Sequence, residues 1–531
     1  MRLAYLLNSI LLIISNAMSR VENPKKIIII GAGISGLSSG IYGQKNGYIT
    51  EIYEKNPNAG GLCTAWKRKG FTIDGCIHWL TGTKEGSSIC NMWHECDAFT
   101  KEQIIFSDDF GVIECEGTPI TLWCDLNKLE KELIEISPID KKIIKKTLDM
   151  VIKFQNMPLP VDIPLSTMNL WSLTKVGISM IPYLRQYIYA SHISTSDYVK
   201  KFKSTKLQYL FTHIVPGDGN LYSALYAFGT VSVKNGGVPK GGSLTLINNM
   251  VNEYERTGGI IHYNKEVSKI IIKDKKAIGV LLKDGSLIKA DYIISGCDCL
   301  EVCYNLLENK YKIKGFEKRR LNHASYPTQS CVLATFSVDY QKIKELMTSH
   351  TIEFPCKQII VGKRTETSIR IRNYAYDDSF THNEKTIMNV LIPQSDSDYK
   401  FWASLREDFK AYSAEKNRIA EDIKKRILEK YPEIKNSLDL LDILTPFTFK
   451  RYTHAYHGAY MPFAYTSTGS MFYYNGYVKG VKNLQLSGQW TILPGGLPIA
   501  MMSGKFAIQR ILKSEHKWFT FYKRIKSSYS R

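Results

Sequence analysis

The 531-residue sequence is short of the features that mark secreted, membrane-spanning or nucleic-acid-binding proteins. Its eleven cysteines form no C-x-x-C pair and follow no regular spacing, and their odd number argues against a disulfide framework. A reducing compartment, cytoplasmic or at a membrane periphery, is expected. Cys297, Cys299 and Cys303 sit close together, but no His or fourth Cys stands at ligand spacing, so buried free thiols rather than a metal are expected there. Acidic residues are scarce, 50 against 70 basic ones, for a formal charge of +20. That balance suits an anionic surface such as phospholipid head groups, and equally a basic surface that only aids solubility. Zinc-finger spacing, aromatic RNP-like motifs and arginine blocks are missing, which turns the reading away from nucleic acid. No unbroken apolar run reaches the roughly 20 residues that a spanning helix needs. Residues 3–14, behind Arg2, fit a signal-peptide core with Ser15-Asn16-Ala17 as its cleavage site, an uncleaved anchor, or an extension ahead of a start at Met18. A nucleophile elbow, a Ser-His-Asp order, a zinc signature and paired carboxylates are also lacking.

What is present is concentrated near the N-terminus. Ile27 to Ile30 form a short apolar run suited to a strand buried on both faces. It ends in Gly31-Ala32-Gly33-Ile34-Ser35-Gly36, a G-x-G-x-x-G turn, after which residues 37–45 read as helix and 48–53 as a second strand closed by Glu54. Each position has a mechanical reason. Gly31 permits the sharp turn, Gly33 leaves room for a pyrophosphate against the backbone, and Gly36 lets helix and strand pack closely. First-turn amides and the helix dipole then hold phosphate, and Glu54 stands where a carboxylate can accept hydrogen bonds from a ribose. Strand, turn, helix, strand and acid in order predict a dinucleotide site.

Three blocks of sequence indicate which dinucleotide. Gly60-Gly61 follows soon after Glu54, and Gly70-Phe71-Thr72-Ile73-Asp74-Gly75 comes next. Asn235-Gly236-Gly237-Val238-Pro239-Lys240-Gly241-Gly242 precedes a helix predicted over 243–257. Near the C-terminus, Leu486-Ser487-Gly488-Gln489-Trp490 leads to Pro494-Gly495-Gly496-Leu497-Pro498 and a last helix. From residue 24 to about 514 the chain resembles FAD-binding oxidoreductases of the phytoene desaturase, carotenoid isomerase and retinol saturase group. Many relatives carry Arg directly after the Gly-Gly pair; Leu62 stands here, which fits the retinol saturase-like branch better than the amine oxidase branch.

The resemblance implies an α/β fold, a Rossmann-type FAD-binding domain of the glutathione reductase and amine oxidase kind interleaved with an α+β substrate domain. The FAD domain is expected to comprise 24–90, 229–300 and 481–512, and the substrate domain 91–228 and 301–480. Segment 1–23 and a basic aromatic tail, 513–531, flank them. FAD would be held by Gly31, Ala32, Gly33, Ser35, Gly36, Glu54, Lys55, Gly60, Gly61, Leu62, Val267, Gly488, Gln489, Gly496 and Leu497. His78 is the best-placed catalytic candidate, as an acid donating a proton in saturation or in the reverse sense in desaturation, with a purely packing role as its alternative. Tyr456, His457 and Tyr460 are weaker ones. The implied substrate is an apolar isoprenoid or polyene lipid, with a possible peripheral membrane contact. NAD(P)H, a quinone and oxygen all stay open as electron partner. An amine oxidase-like activity and a non-enzymatic FAD-binding, lipid-associated role are the alternatives.

Elsewhere the pattern predicts a meander over 270–272, 277–282 and 286–294, and one antiparallel sheet from 330–340, 357–362, 367–376 and 385–393. A single long amphipathic helix is expected over 402–431. Residues 91–228 read as helical and aromatic, and 170–190, interrupted by Pro182 and Arg185, as a core helix pair, a cap on an apolar tunnel or a segment dipping into a membrane surface.

Overall fold

The isoleucine run takes its place in the middle of the molecule because it can be buried from both sides. In the computed structural model, which describes residues 23–215 and 219–519, Lys26–Ile30 pairs in parallel with Ile49–Tyr53 and with Tyr292–Ser295. Ile260–His262 and Leu484–Leu486 complete a five-stranded parallel sheet. Strand alternation divides the run. Ile27 and Ile29 face a cluster built on three helices, Ile34–Lys45, Gly242–Arg256 and Leu497–Ser514. Ile28 and Ile30 face the meander that contributes Val267, Ile270 and Val280. Helix packing is close because small residues line it. A Cβ on Gly40 would lie 2.5 Å from the Tyr254 ring, and one on Gly504 would lie 2.6 Å from the Ser35 carbonyl oxygen. The N-terminal apolar stretch and most of the basic aromatic tail lie outside the described residues.

The second body is built on a large sheet. Its strands run in the order Asp439–Leu444, Thr328–Asp339, Lys385–Gln394, Arg364–Asn373, Thr351–Val361, Asp109–Cys115 and Thr118–Trp123, with Met461–Phe463 added beside Thr328–Asp339. Helices Asp396–Leu405 and Phe409–Lys430 accompany it, and Trp402, Ile419, Ile423 and Ile427 share a buried cluster with its strands.

Several sequence expectations need correcting. The sheet is not purely antiparallel. A hairpin from the stretch read as helical joins it, and Thr351–Val361 pairs in parallel with Asp109–Cys115. The third segment of the meander is two strands: Leu287–Lys289 ends the meander, whereas Tyr292–Ser295 belongs to the central parallel sheet. Helix 402–431 is two helices, because Asp408 accepts hydrogen bonds from the Lys410 and Ala411 amides and starts a new one. Gly236–Pro239 is itself a strand before the helix that it was expected to open. Residues 170–190 do not form a core helix pair. Leu170–Ser191 is one helix with Pro182 inside it, and Trp171, Ile178 and Ile181 are 66%, 61% and 65% exposed. No helix among the described residues is long and apolar enough to cross a membrane.

Candidate functional site

The glycine turn is locked by the acid that follows the second strand. Glu54 is buried; its Oε2 accepts the Ala32 amide at 2.8 Å and its Oε1 accepts both the Asn56 amide and the Asn56 side-chain N–H, at 2.9 and 2.8 Å. Three donors on the roughly four lone-pair sites of the carboxylate leave one for a ribose hydroxyl. The Ala32 carbonyl in turn accepts the Gly60 amide, which draws the Gly-Gly pair against the turn. Gly61 sits at φ +62°, a backbone conformation that favours glycine, and a Cβ on Gly36 would stand 1.9 Å from the Gly31 carbonyl oxygen. The result is a concave backbone surface at the start of the Ile34–Lys45 helix, with the chemistry a pyrophosphate needs.

That surface forms one end of a cavity of about 710 Å³. Of the residues expected to bind FAD, Gly31, Gly33, Ser35, Glu54, Lys55, Gly60, Gly61, Leu62, Val267, Gly488, Gln489, Gly496 and Leu497 all line it. Ala32 and Gly36 do not. They lie beneath it, Ala32 as the donor to Glu54 and Gly36 as the close contact of the turn. The Ser35 hydroxyl is spent on Ser487, at 2.6 Å. Lys55 donates to the Arg451 carbonyl oxygen, and burial pulls its ammonium below the ordinary range.

The C-terminal block reaches the same cavity. Gln489 donates from Nε2 to the Tyr460 carbonyl oxygen at 3.0 Å and accepts the Gly496 amide at its Oε1 at 3.2 Å. This leaves the later first-turn residues of the Leu497–Ser514 helix, Leu497 and Ile499, among the cavity's walls. Gly488 donates its amide to the Ser503 hydroxyl.

The two middle motifs meet at Asp74. Its buried carboxylate accepts the Ser243 amide at 2.6 Å, the Ser243 hydroxyl at 2.8 Å and the Cys76 amide at 2.9 Å, capping the Gly242–Arg256 helix from across the chain. A Cβ on Gly242 would lie 2.0 Å from Asp74 Oδ2, so the glycine is a steric requirement. Asp74's own carbonyl oxygen accepts from Tyr374 and Asn389 of the large sheet. The loop bearing His78 is thereby fastened to both bodies.

His78 and Trp79 line the cavity, and the His78 carbonyl oxygen accepts from the Arg372 guanidinium at 2.8 Å. Burial, then the charges of Arg372 and Arg370, pull its imidazole down to about 3. His78 is therefore neutral at physiological pH, which removes an imidazolium acid and leaves a hydrogen-bond acceptor or weak base. Tyr460 also lines the cavity. Tyr456 and His457 do not; His457 is paired with Asp396 and stacked between Tyr399 and Tyr456. Sequence reasoning missed Asp298, Arg372 and the aromatic far end of the cavity, Tyr222, Tyr226, Tyr465 and Tyr473. Asp298 caps Leu300 and accepts the Tyr456 amide, and burial raises its carboxyl to about 6. The spacing of Asp298 to the motifs carries no local signal.

A parallel sheet with an N-terminal glycine turn, a ribose-ready acid and an apolar cavity under a second sheet defines a flavin-dependent oxidoreductase of the two-body kind. Residues 29–96 match the NAD(P)-binding Rossmann-like domain, and residues 204–512 match the flavin containing amine oxidoreductase model. The chain belongs to that flavin-containing family and is an FAD-dependent oxidoreductase. Among curated proteins it is similar to a phytoene desaturase (lycopene-forming) of Paracoccus sp., 22% identical over 92% of this chain and 97% of the relative. It is also similar to a 4,4'-diapophytoene desaturase (4,4'-diaponeurosporene-forming) of Staphylococcus aureus, 24% identical over 92% and 99%. In fold it is similar to an oxidoreductase from Methanosarcina mazei, with a TM-score of 0.55 at 16% identity over 91% of this chain and all of that one. Putrescine oxidase bound to putrescine gives 0.56 at 11% identity over 92% and 99%.

Removing the charge of Glu54 while keeping its shape, Glu54→Gln, should weaken FAD binding by about tenfold to a hundredfold, since a charge-assisted hydrogen bond contributes roughly 1.5–3 kcal/mol. Equilibrium dialysis of deflavinated protein checks it; unchanged retention would contradict the assignment.

The two half-buried histidines near Arg372 carry a pH consequence. His350, stacked on Tyr376, is held at about 4 by burial and by Arg372, as His78 is at about 3. Their folded values lie below the ordinary 6.5, so they favour folding above 6.5, and that contribution is lost as pH falls toward 4. Urea midpoints should fall across this window, and His350→Gln should make the fall shallower; an equal slope in the variant would contradict the account.

Proposed function

We propose that the protein dehydrogenates a carbon–carbon bond of a long apolar isoprenoid. The observation that carries this reading is the cavity itself. One continuous wall runs from the Gly31–Gly33 turn and Glu54 to Leu159, Leu165, Tyr222, Tyr226 and Tyr465, with few charged groups beyond the FAD-facing end. Such a space rewards burial of hydrocarbon and offers an amine no carboxylate at the aromatic end. The desaturases among the relatives support the same substrate class. Bound FAD would supply the two-electron acceptor that takes hydride from a saturated carbon.

The protein's own part is orientation, exclusion of water and management of one proton. The glycine turn, Glu54 and Gln489 would position the cofactor, and the aromatic end would hold the chain extended. Loss of the second hydrogen as a proton needs an acceptor at the wall. The neutral His78 imidazole nitrogen faces the cavity and can take up that proton, but burial and Arg372 keep its proton affinity low, so it would relay the proton rather than hold it.

A lipid of this kind reaches the cavity from a bilayer. The Leu170–Ser191 helix supports peripheral contact: Leu170, Trp171, Ile178, Ile181, Leu184 and Ile188 are exposed on it, and Lys175 stands over the Trp171 ring. Leu159, Val161 and Leu165, just ahead of this helix, line the cavity, so its mouth and the apolar surface adjoin in the chain. The test is conversion in anionic vesicles loaded with phytoene, with extracted lipid read by mass spectrometry. Loss of hydrogens in pairs is expected. The double variant Ile178→Asp, Ile181→Asp should lower conversion in vesicles by about tenfold or more while sparing it in detergent. Peroxide release from amines, with no change in any polyene, would overturn the reading.

A further inference from the structure

One chemistry-bearing cluster stands apart from the cavity's contents. The Ser88–Glu95 helix, capped by the Ser87 hydroxyl, carries Cys90 and His94 one turn apart on the same face, and Glu85 reaches back to both from the preceding turn. His94 Nε2 lies 3.3 Å from Cys90 Sγ and 3.1 Å from Glu85 Oε1, and Cys90 Sγ lies 3.9 Å from the same carboxylate oxygen. Among the described residues this group brings three ligand atoms within 4.8 Å of one another.

From these distances we infer that Glu85, Cys90 and His94 form a binding site for a divalent zinc ion. Tetrahedral zinc, with bonds of about 2.0–2.3 Å, holds its ligand atoms roughly 3.3–3.8 Å apart, so these three are already near coordinating separation. Thiolate, imidazole and carboxylate together suit zinc over calcium or magnesium, which prefer oxygen alone. Cys90 is buried, whereas Glu85 and His94 are open to solvent, so the ion enters from outside and keeps its fourth position for water. Binding releases the Cys90 thiol proton to solvent. The inward face of the same helix supplies Ile89 and Met92 to the cavity wall. Zinc would therefore fasten a wall of the substrate space from outside, without taking part in the flavin's chemistry.

The three residues are separated by four and three positions in the sequence, Glu85-x4-Cys90-x3-His94, a spacing that only the helix turns into a cluster. The test uses the full-length, FAD-loaded, reduced protein titrated with Co²⁺ as the spectroscopic stand-in for zinc. One equivalent should give tetrahedral d–d bands and a near-ultraviolet sulfur-to-cobalt charge-transfer band, both displaced by Zn²⁺. Cys90→Ser should abolish the charge-transfer band. Glu85→Gln, an exposed change that leaves the core untouched, should weaken Co²⁺ binding at least tenfold with flavin content unchanged. Absence of the band in the wild type, its survival in Cys90→Ser, or undiminished affinity in Glu85→Gln would each overturn the proposal.

Discussion

The hydrogen bond from the Ala32 amide to the buried carboxylate of Glu54 is the contact on which the rest is arranged. It joins the end of the second strand to the turn after the first, and so fixes the direction in which the Ile34–Lys45 helix leaves the sheet. A charge placed in that position without its three N–H donors would be costly to bury. With them, it sets the turn, places the Gly-Gly pair through the Ala32 carbonyl, and keeps a lone pair for a ribose. The pyrophosphate surface follows from that geometry.

A second buried carboxylate does the comparable work between bodies. Asp74 caps a helix more than 160 residues away in the chain, and its backbone carbonyl takes hydrogen bonds from the large sheet. His78 sits four residues further on, between the cavity and Arg372. Its neutrality is thus a product of tertiary assembly: burial depresses it first, and the guanidinium that adds to this arrives from a strand of the second body.

Residues 25–61 were legible because their logic is local: a strand, a turn whose glycines answer steric needs, and an acid at fixed spacing. Gly488, Gln489 and Gly496 were legible through resemblance, yet the bond from the Gly496 amide to Gln489, which ties the two together, was not. Non-local pairing hid the most. Nothing near Asp109–Cys115 announces that its parallel partner lies more than 200 residues on, and Tyr292–Ser295 reads as the tail of a meander until Lys26–Ile30 claims it. Leu170–Ser191 misled for another reason. Its apolar composition resembles a core element, and only the fold shows that, among the described residues, Leu170, Trp171, Ile178 and Ile181 stand exposed while Met180, Tyr183 and Tyr187 pack inward.

The most direct measurement is the absorbance of the oxidised, FAD-loaded protein under anaerobic conditions as an apolar isoprenoid substrate is added in vesicles, with a primary amine added in a parallel cuvette. The account predicts bleaching of the flavin by the isoprenoid at a rate consistent with turnover, and no bleaching by the amine. Reduction by the amine alone would contradict the assignment of the apolar cavity and leave the family without the proposed chemistry.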